Sequence, residues 1–443
     1  MSKLAINGGK PIVPAGLEKP WPPITQDDID AVVNVLKRGV LWGPTEIEVT
    51  GLQNEFAEYV GAKHALVVNS GTAAIHACIN AIGVEPGDEV IIPAYTFWAT
   101  AQAVLAQNGI PVFVDIEKET YNIDPKKIEE KINERTKALL PVHVHGIPCE
   151  MDEINRIADN YNLMVIEDAA QAVGSEYKGR KAGVLGHMAA FSLNGSKNLP
   201  AGEGGVVTTN DDDLYERARS MSMFGEKKIE KGTIRLYDAQ RMGFNYRNNE
   251  MADAFCRSFL RRYDKLQAER TELAEYLNRE LVKIKGVKPI KIPSHIKTSY
   301  HLFKVSIFPE DLGITNIHPK RFRWAVQKAL QEEGLNLYEW HNMPVPGQKV
   351  FLNREVYGKD CPWNCHHVRP ESRGMIYDPN DYPNTVDMFD RSFCIKPVNP
   401  PNTIDLMELY VAGFKKVFEN IEEVIEFSKT IEFPTMPNEK RDI

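Results

Sequence analysis

The chain has 443 residues, 43% of them hydrophobic and 26% charged, with a formal net charge of −8 and a pI near 5.9. An acidic chain of ordinary globular composition is a poor partner for nucleic acid or a membrane surface, and its length points to two domains or one large domain with an appendage. No stretch approaches the ~20 apolar residues of a membrane span, and the amino terminus has no apolar segment of signal-peptide length, so a cytoplasmic location is expected.

From residue 64 onward short apolar strands alternate with helical patterns. His64–Val68, Glu89–Ile92, Pro111–Val114, Ala138–Val142 and a run ending at Asp168 read as strands; Thr72–Ile82, Thr100–Gln107, Pro125–Ile132 and Met151–Asn160 read as helices. This alternation predicts right-handed crossovers and an α/β fold: a mainly parallel sheet sandwiched by helices. Met188–Phe191 and Gly205–Thr208 leave no room for a crossover helix, so that pair is expected to turn back antiparallel, with Lys197 on the connection. A long helical stretch, Asn249–Val282, is expected to lead into a smaller α+β unit containing a strand at Tyr300–Ile307, a helix at Lys320–Glu333 and a closing helix at Leu406–Phe427. The expected division is a large domain over 1–265 with an amino-terminal arm, a small domain over 266–430, and a tail over 431–443.

Lys197 stands in Asn194-Gly195-Ser196-Lys197-Asn198, a turn too rich in Gly, Asn and Ser for a helix interior, where a lysine can be held at a cleft. The strand Leu163–Asp168 places a carboxylate at its carboxyl end, where open α/β sheets bind ligands. An amine paired with an acid is what pyridoxal phosphate chemistry needs: the amine holds the aldehyde and the acid keeps the ring nitrogen protonated. An isolated Asp at a strand end is more often a helix cap, so the pairing carries the argument. Asn69-Ser70-Gly71-Thr72 resembles an anion cradle at a helix start, although Ser-Gly-Thr is also an ordinary cap. Phe97 follows another strand and could lie against a cofactor ring; Ser192, five residues before Lys197, could donate to a phosphate. The cysteines, at 78, 149, 256, 361, 365 and 394, form no disulfide framework. Cys361-Pro362-Trp363-Asn364-Cys365-His366-His367 lacks a second ligand pair nearby, so a loop or lid over the active site is expected there ahead of a metal site.

Gly71-Thr72, Glu167-Asp168-Ala169-Ala170-Gln171, the Ser192 to Lys197 spacing, Gly202-Glu203-Gly204-Gly205 and Gly243-Phe244-Asn245-Tyr246-Arg247 occur in the order seen in the DegT/DnrJ/EryC1/StrS aminotransferases. The chain resembles that family well over about residues 25–275 and loosely beyond. The resemblance implies a fold-type-I pyridoxal 5'-phosphate enzyme, a homodimer with active sites at the subunit interface. Lys197 would carry the cofactor as a Schiff base, Asp168 would pair with the pyridinium, Gln171 with the ring hydroxyl, and Phe97 would stack on the ring. Gly71, Thr72 and Ser192 would hold the phosphate, with Asn245 entering from the neighbouring subunit. Arg247 could hold the acceptor's anionic group or the donor carboxylate. Asn194, where many sugar-nucleotide members have His near the lysine, and His145, where Tyr is common, are expected to line the substrate pocket. Ile6-Asn7-Gly8-Gly9-Lys10-Pro11 and the Asn194-Gly195-Ser196-Lys197 context look closer to the inosose aminotransferase and aminohydroxybenzoate synthase branches than to nucleotide-sugar enzymes.

The expected reaction moves an amino group from glutamate or glutamine to a keto-sugar or an inosose-like keto-cyclitol; a nucleotide-linked 4-keto-sugar is the alternative acceptor. Sugar dehydratases of this family replace the lysine by histidine, which Lys197 argues against. A non-catalytic regulator on the same fold is disfavoured because lysine, aspartate and phosphate turn are all kept.

Overall fold

The computed structural model describes residues 3–227 and 238–436. Seven strands form the main sheet: β1 (His64–Val68), β2 (Glu89–Pro93), β3 (Ile110–Val114), β4 (Thr136–Leu139), β5 (Met164–Asp168), β6 (Met188–Ser192) and β7 (Gly205–Thr209), in the order β1-β7-β6-β5-β4-β2-β3. Strands β3, β2, β4, β5 and β6 run parallel, while β7 is antiparallel to both of its neighbours. The short β6–β7 connection therefore reverses as expected, because it carries no crossover helix.

Nearly every strand residue is buried, as a sheet covered on both faces requires. Two apolar cores flank the sheet. One gathers Ile91, Val112, Leu139, Val165 and Phe191 with helix α2 (Ile47–Val60) and α5 (Met151–Tyr161); the other gathers Ile92, Phe113, Ile166 and Ala190 with α3 (Gly71–Ala81) and α4 (Ala99–Ala106).

A second, all-antiparallel sheet holds β8 (Val287–Pro289), β9 (Phe303–Ile307), β10 (Asn336–Tyr338) and β11 (Ser392–Lys396), in the order β8-β9-β11-β10. Helices Tyr263–Leu281, Pro319–Glu332 and Ile404–Glu419 supply the rest of its core, and Leu4 and Val13 join it from the amino-terminal arm. In the other direction Val345, Phe351, Trp363, Val368 and Tyr377 pack into the core around Phe113 and α3. Tyr377 Oη donates to Pro111 O at 3.1 Å and Trp363 Nε1 to Tyr377 Oη at 2.9 Å. Both stretches pack across the division expected at residues 265/266.

Three helical expectations change in detail. Pro125–Ile132 is a pair of 3-10 turns, Pro125–Lys127 and Glu129–Lys131; only Pro125 and Ile128 are buried, so no apolar stripe supports an α-helix. Asn249–Val282 is broken into Glu250–Leu260 and Tyr263–Leu281 at Arg262, whose backbone leaves the helical region (φ −114°, ψ 5°) and whose guanidinium binds Asp28 and Pro23 O. The closing helix breaks at Asn420, whose side-chain amide donates to Lys416 O at 2.7 Å in competition with the helix backbone.

Candidate active site

Successive strand residues face opposite sides of a sheet, and at the end of β5 this separates two carboxylates. Glu167 turns into the interior and is fully satisfied, accepting from Gly183 N, Leu185 N and Gly186 N at 2.7–2.9 Å and lying 3.0 Å from His143 Nε2. Asp168 turns to the other side, where Thr100 Oγ1 donates to its Oδ2 at 2.7 Å and Ala170 N to its Oδ1 at 3.1 Å. Thr96 Oγ1 in turn lies 2.7 Å from Thr100 Oγ1. Burial raises the Asp168 pKa, opposed by these bonds and by the charge of Lys197.

Lys197 is placed by its backbone. Its N–H donates to Asn194 O at 2.8 Å, Gly195 N donates to Gly202 O at 2.8 Å, and the indole Nε1 of Trp21 donates to Lys197 O at 2.9 Å. Asn198 locks the next residue, donating to Ser299 O at 2.8 Å and to Gln267 Oε1 at 3.3 Å. The ammonium opens only onto a cavity and is poorly solvated; burial pulls its pKa down to about 8, with Asp168 pulling the other way.

The start of α3 forms the floor nearest β6. Ser70 caps the helix, its Oγ accepting from Ala73 N at 3.1 Å and its carbonyl from Ala74 N at 3.0 Å, which leaves the amides of Gly71 and Thr72 without a partner inside the helix. A Cβ on Gly71 would sit 2.7 Å from Ser192 Cβ, and one on Gly205 would sit 2.3 Å from Ser70 O. Glycine at both positions lets the helix start, β6 and β7 approach closely enough to bring Ser192 beside the helix amides.

These groups open onto a cavity of about 810 Å3 lined by Lys197, Asp168, Gly71, Thr72, Phe97, Gln171, Ser192 and Asn194. Gln171 also ties the floor together: its Oε1 accepts from His145 N at 2.7 Å and its carbonyl from Ser299 Oγ at 2.8 Å. Phe97 is half exposed, with a face free to meet a ligand.

Two expectations change, and two further residues fall outside the chain's own cavity. His145 does not reach the cavity: its φ of 60° turns the imidazole into the protein, where Nε2 lies 2.9 Å from Tyr95 Oη and burial holds its pKa well below the usual range. Arg247 lies outside the cavity with its guanidinium over the rings of Trp42 (4.8 Å) and Phe224 (5.2 Å). Asn245, expected to serve the neighbouring subunit, is outside as well, its carbonyl accepting from Asn69 Nδ2 at 3.3 Å and its backbone bridging to Met223. The Cys361–His367 segment is no lid: Trp363 anchors it in the core beneath β3, and Cys361 Sγ and Cys365 Sγ lie 3.1 Å apart, away from the cavity.

Trp21, Thr100, Asn198, Arg270, His301 and Trp340 also line the cavity and were not anticipated. Apart from Asn198, which follows Lys197 in the same turn, they come from segments far apart in the chain and belong to no local motif. Thr100 also had a signal, as a hydroxyl in the first turn of the helix after β2.

The family model for DegT/DnrJ/EryC1/StrS aminotransferases matches residues 22–367. The chain is 32% identical to the spore coat polysaccharide biosynthesis protein SpsC of Bacillus subtilis, over 87% of this chain and 92% of that protein. It is 40% identical to GDP-perosamine synthase of Caulobacter vibrioides over 58% of this chain and 67% of that enzyme. Among solved structures it resembles 3-amino-5-hydroxybenzoic acid synthase, at 28% identity and a TM-score of 0.76, covering 93% of this chain and 99% of that one. The cavity suits pyridoxal phosphate: a glycine cradle with free helix amides for the phosphate, a buried carboxylate for the ring nitrogen, and a poorly solvated lysine for the aldehyde. With the fold of type-I pyridoxal phosphate transferases, the chain belongs to the DegT/DnrJ/EryC1/StrS aminotransferase family and is a pyridoxal phosphate-dependent aminotransferase.

Proposed function

We propose that this aminotransferase moves an amino group from glutamate or glutamine to a keto-sugar or inosose-like keto-cyclitol, using Lys197 and Asp168 as catalytic groups. The observation carrying this reading is that these two groups share one cavity with the glycine cradle at Gly71 and Ser192. When bound, pyridoxal phosphate supplies an aldehyde carbon and an electron-accepting ring. Gly71, Thr72 and Ser192 would hold its phosphate, Asp168 the ring nitrogen, Gln171 the ring hydroxyl and Phe97 one ring face. Asp168 Oδ1 and Oδ2, kept in place by Ala170 N and Thr100 Oγ1, would stabilise a cation at that nitrogen. Lys197 Nζ, with a pKa near 8, holds and releases a proton close to neutral pH, as a group that moves one between two carbons must. An acceptor rich in hydroxyls suits the remaining wall, which is lined by Tyr338 and Trp340 together with Asn336 and Asn399.

The likeness to GDP-perosamine synthase favours a nucleotide-linked 4-keto-sugar as a second reading. Turnover of keto-inositols and of nucleotide-linked 4-keto-sugars, each with glutamate and glutamine as donors, distinguishes the two. Transfer to a keto-inositol at a kcat/KM at least about tenfold higher is expected from the first reading, a difference of ~1.4 kcal/mol in transition-state binding; the reverse order would replace it with the second.

The active unit is proposed to be a homodimer in the cytoplasm. Leu41, Trp42, Phe224, Met242 and Phe244 are exposed beside Asn245 and Arg247, an apolar surface suited to a second copy of the chain. Asn245 and Arg247 lie outside their own cavity and would complete the cavity of that copy. Mixing Lys197→Ala chains with chains mutated at Asn245 and Arg247 is then expected to restore activity, because each heterodimer holds one intact composite site. A monomer at assay concentration, or no recovery after demonstrated subunit exchange, would refute the shared site.

A further inference from the structure

Two buried cations of this protein have a carboxylate at hand: Lys416 lies 2.8 Å from Glu333, and Arg323 pairs with Glu339. Arg270 does not. It lines the cavity, is 3% exposed, and its Nη1 has no hydrogen-bond partner; its guanidinium forms no ion pair among the described residues. The acids of the cavity wall are engaged elsewhere. Glu18 accepts from Tyr410 Oη and Asn336 Nδ2, Glu203 accepts from Asn194 Nδ2, and Asp168 accepts from Thr100 Oγ1 and Ala170 N. Burial without a counter-charge pulls the Arg270 pKa down to about 10.

The position of Arg270 is fixed relative to Lys197. Its guanidinium lies 4.5 Å from the centre of the Trp21 ring, and the same indole donates to Lys197 O. One helical turn earlier, Gln267 bonds Asn198, the neighbour of Lys197, and Ser299 O. Trp21 thus links the guanidinium to the peptide that carries the reacting amine, and Gln267 ties the helix of Arg270 to the same peptide. A planar fork of donors in a poorly solvated wall is matched by a carboxylate, through two parallel charge-assisted bonds.

We propose that Arg270 binds the α-carboxylate of the amino donor. This rests on the aminotransferase reading above, in which an amino acid must present its nitrogen at Lys197. The carboxylate lies one carbon from that nitrogen, so its anchor belongs next to the lysine. A keto-sugar acceptor has no such group, so Arg270 would separate amino acids from simple amines without contributing to acceptor binding.

Calorimetric titration of the holoenzyme with glutarate, a dicarboxylate without an amine, reads this site independently of turnover. Glutarate is expected to bind the parent, to bind Arg270→Gln at least about tenfold more weakly, and to bind Arg270→Lys with an intermediate Kd, because lysine keeps the charge and loses the fork. In steady state the KM for the amino donor should rise at least about tenfold while that for the acceptor changes less than about twofold. Where Arg270→Gln does not fold, Arg270→Lys carries both measurements. No binding of glutarate to the parent, a glutarate Kd within about twofold in a folded, cofactor-loaded variant, or equal increases in both KM values would overturn the assignment. Absence of amino transfer to any keto-sugar or keto-cyclitol would refute the proposed function instead, with glutarate affinity still deciding the role of Arg270.

Discussion

Replacing Lys197 by methionine is expected to abolish amino transfer, lowering kcat by more than ~10^4-fold, and yet to make the cofactor-free protein more heat-stable at pH 7. The two effects have one origin. The amine is kept in a poorly solvated wall, with a pKa of about 8 against 10.5 for a free lysine. The unfolded chain therefore binds this proton up to a higher pH than the folded chain does, and folded stability rises with pH between the two values. The methionine advantage should be complete below pH 8 and fade as pH approaches 10.5. Cavity water reduces the ~1.4 kcal/mol per pKa unit, which leaves about 2–3 kcal/mol at pH 7. Thermal unfolding of both cofactor-free proteins across pH 6–10 checks this; a parent more stable than the variant at pH 7 would contradict it. Borohydride reduction of the loaded parent should place the pyridoxyl label on Lys197 alone, and a label on any other lysine would remove the assignment.

Asp168→Asn is expected to fold normally and to lose about 10^2–10^3-fold in kcat. Asparagine keeps the shape and an oxygen that can accept from Thr100 Oγ1 or Ala170 N, so the packing at the end of β5 survives. An amide cannot balance a cation at the ring nitrogen, and that loss falls on the chemical step. Turnover within a few-fold of the parent would reduce Asp168 to a local cap. Because its neighbour Glu167 holds three backbone amides in the interior, Glu167→Gln provides a contrast: unfolding at lower temperature, with kcat in the remaining folded protein close to the parent value.

Why some of this was legible in the sequence follows from range. The end of β5 and the β6–β7 turn are short stretches in which hydrophobic run, carboxylate and Gly-rich loop stand next to one another, so the pairing of Lys197 with Asp168 is legible in the sequence. Trp21, Arg270 and His301 reach the same cavity from three separate regions of the chain, and nothing local in those regions points to it. His145 shows how a sequence neighbour can be misplaced. It follows a strand end closely, but a single left-handed residue turns its side chain toward Tyr95 instead of the ligand. Helix lengths were overestimated where one side chain ends a helix from within: Arg262 by binding Asp28, Asn420 by binding the carbonyl four residues back. Amphipathic periodicity continues through such positions although the backbone does not.

The packing of Trp363 and Tyr377 beneath β3 also bears on how the chain is made. Tyr377 and its partner Pro111 are 266 residues apart, and Phe113 meets Phe351 and Tyr377 edge to face. A nascent chain that has produced the whole parallel sheet still leaves the apolar surface of β3 and α4 uncovered until the ribosome has released most of the remaining sequence. During that interval the surface is open to other nascent chains and to chaperones, and polypeptides halted near residue 340 should aggregate even though every strand of the main sheet has been synthesised.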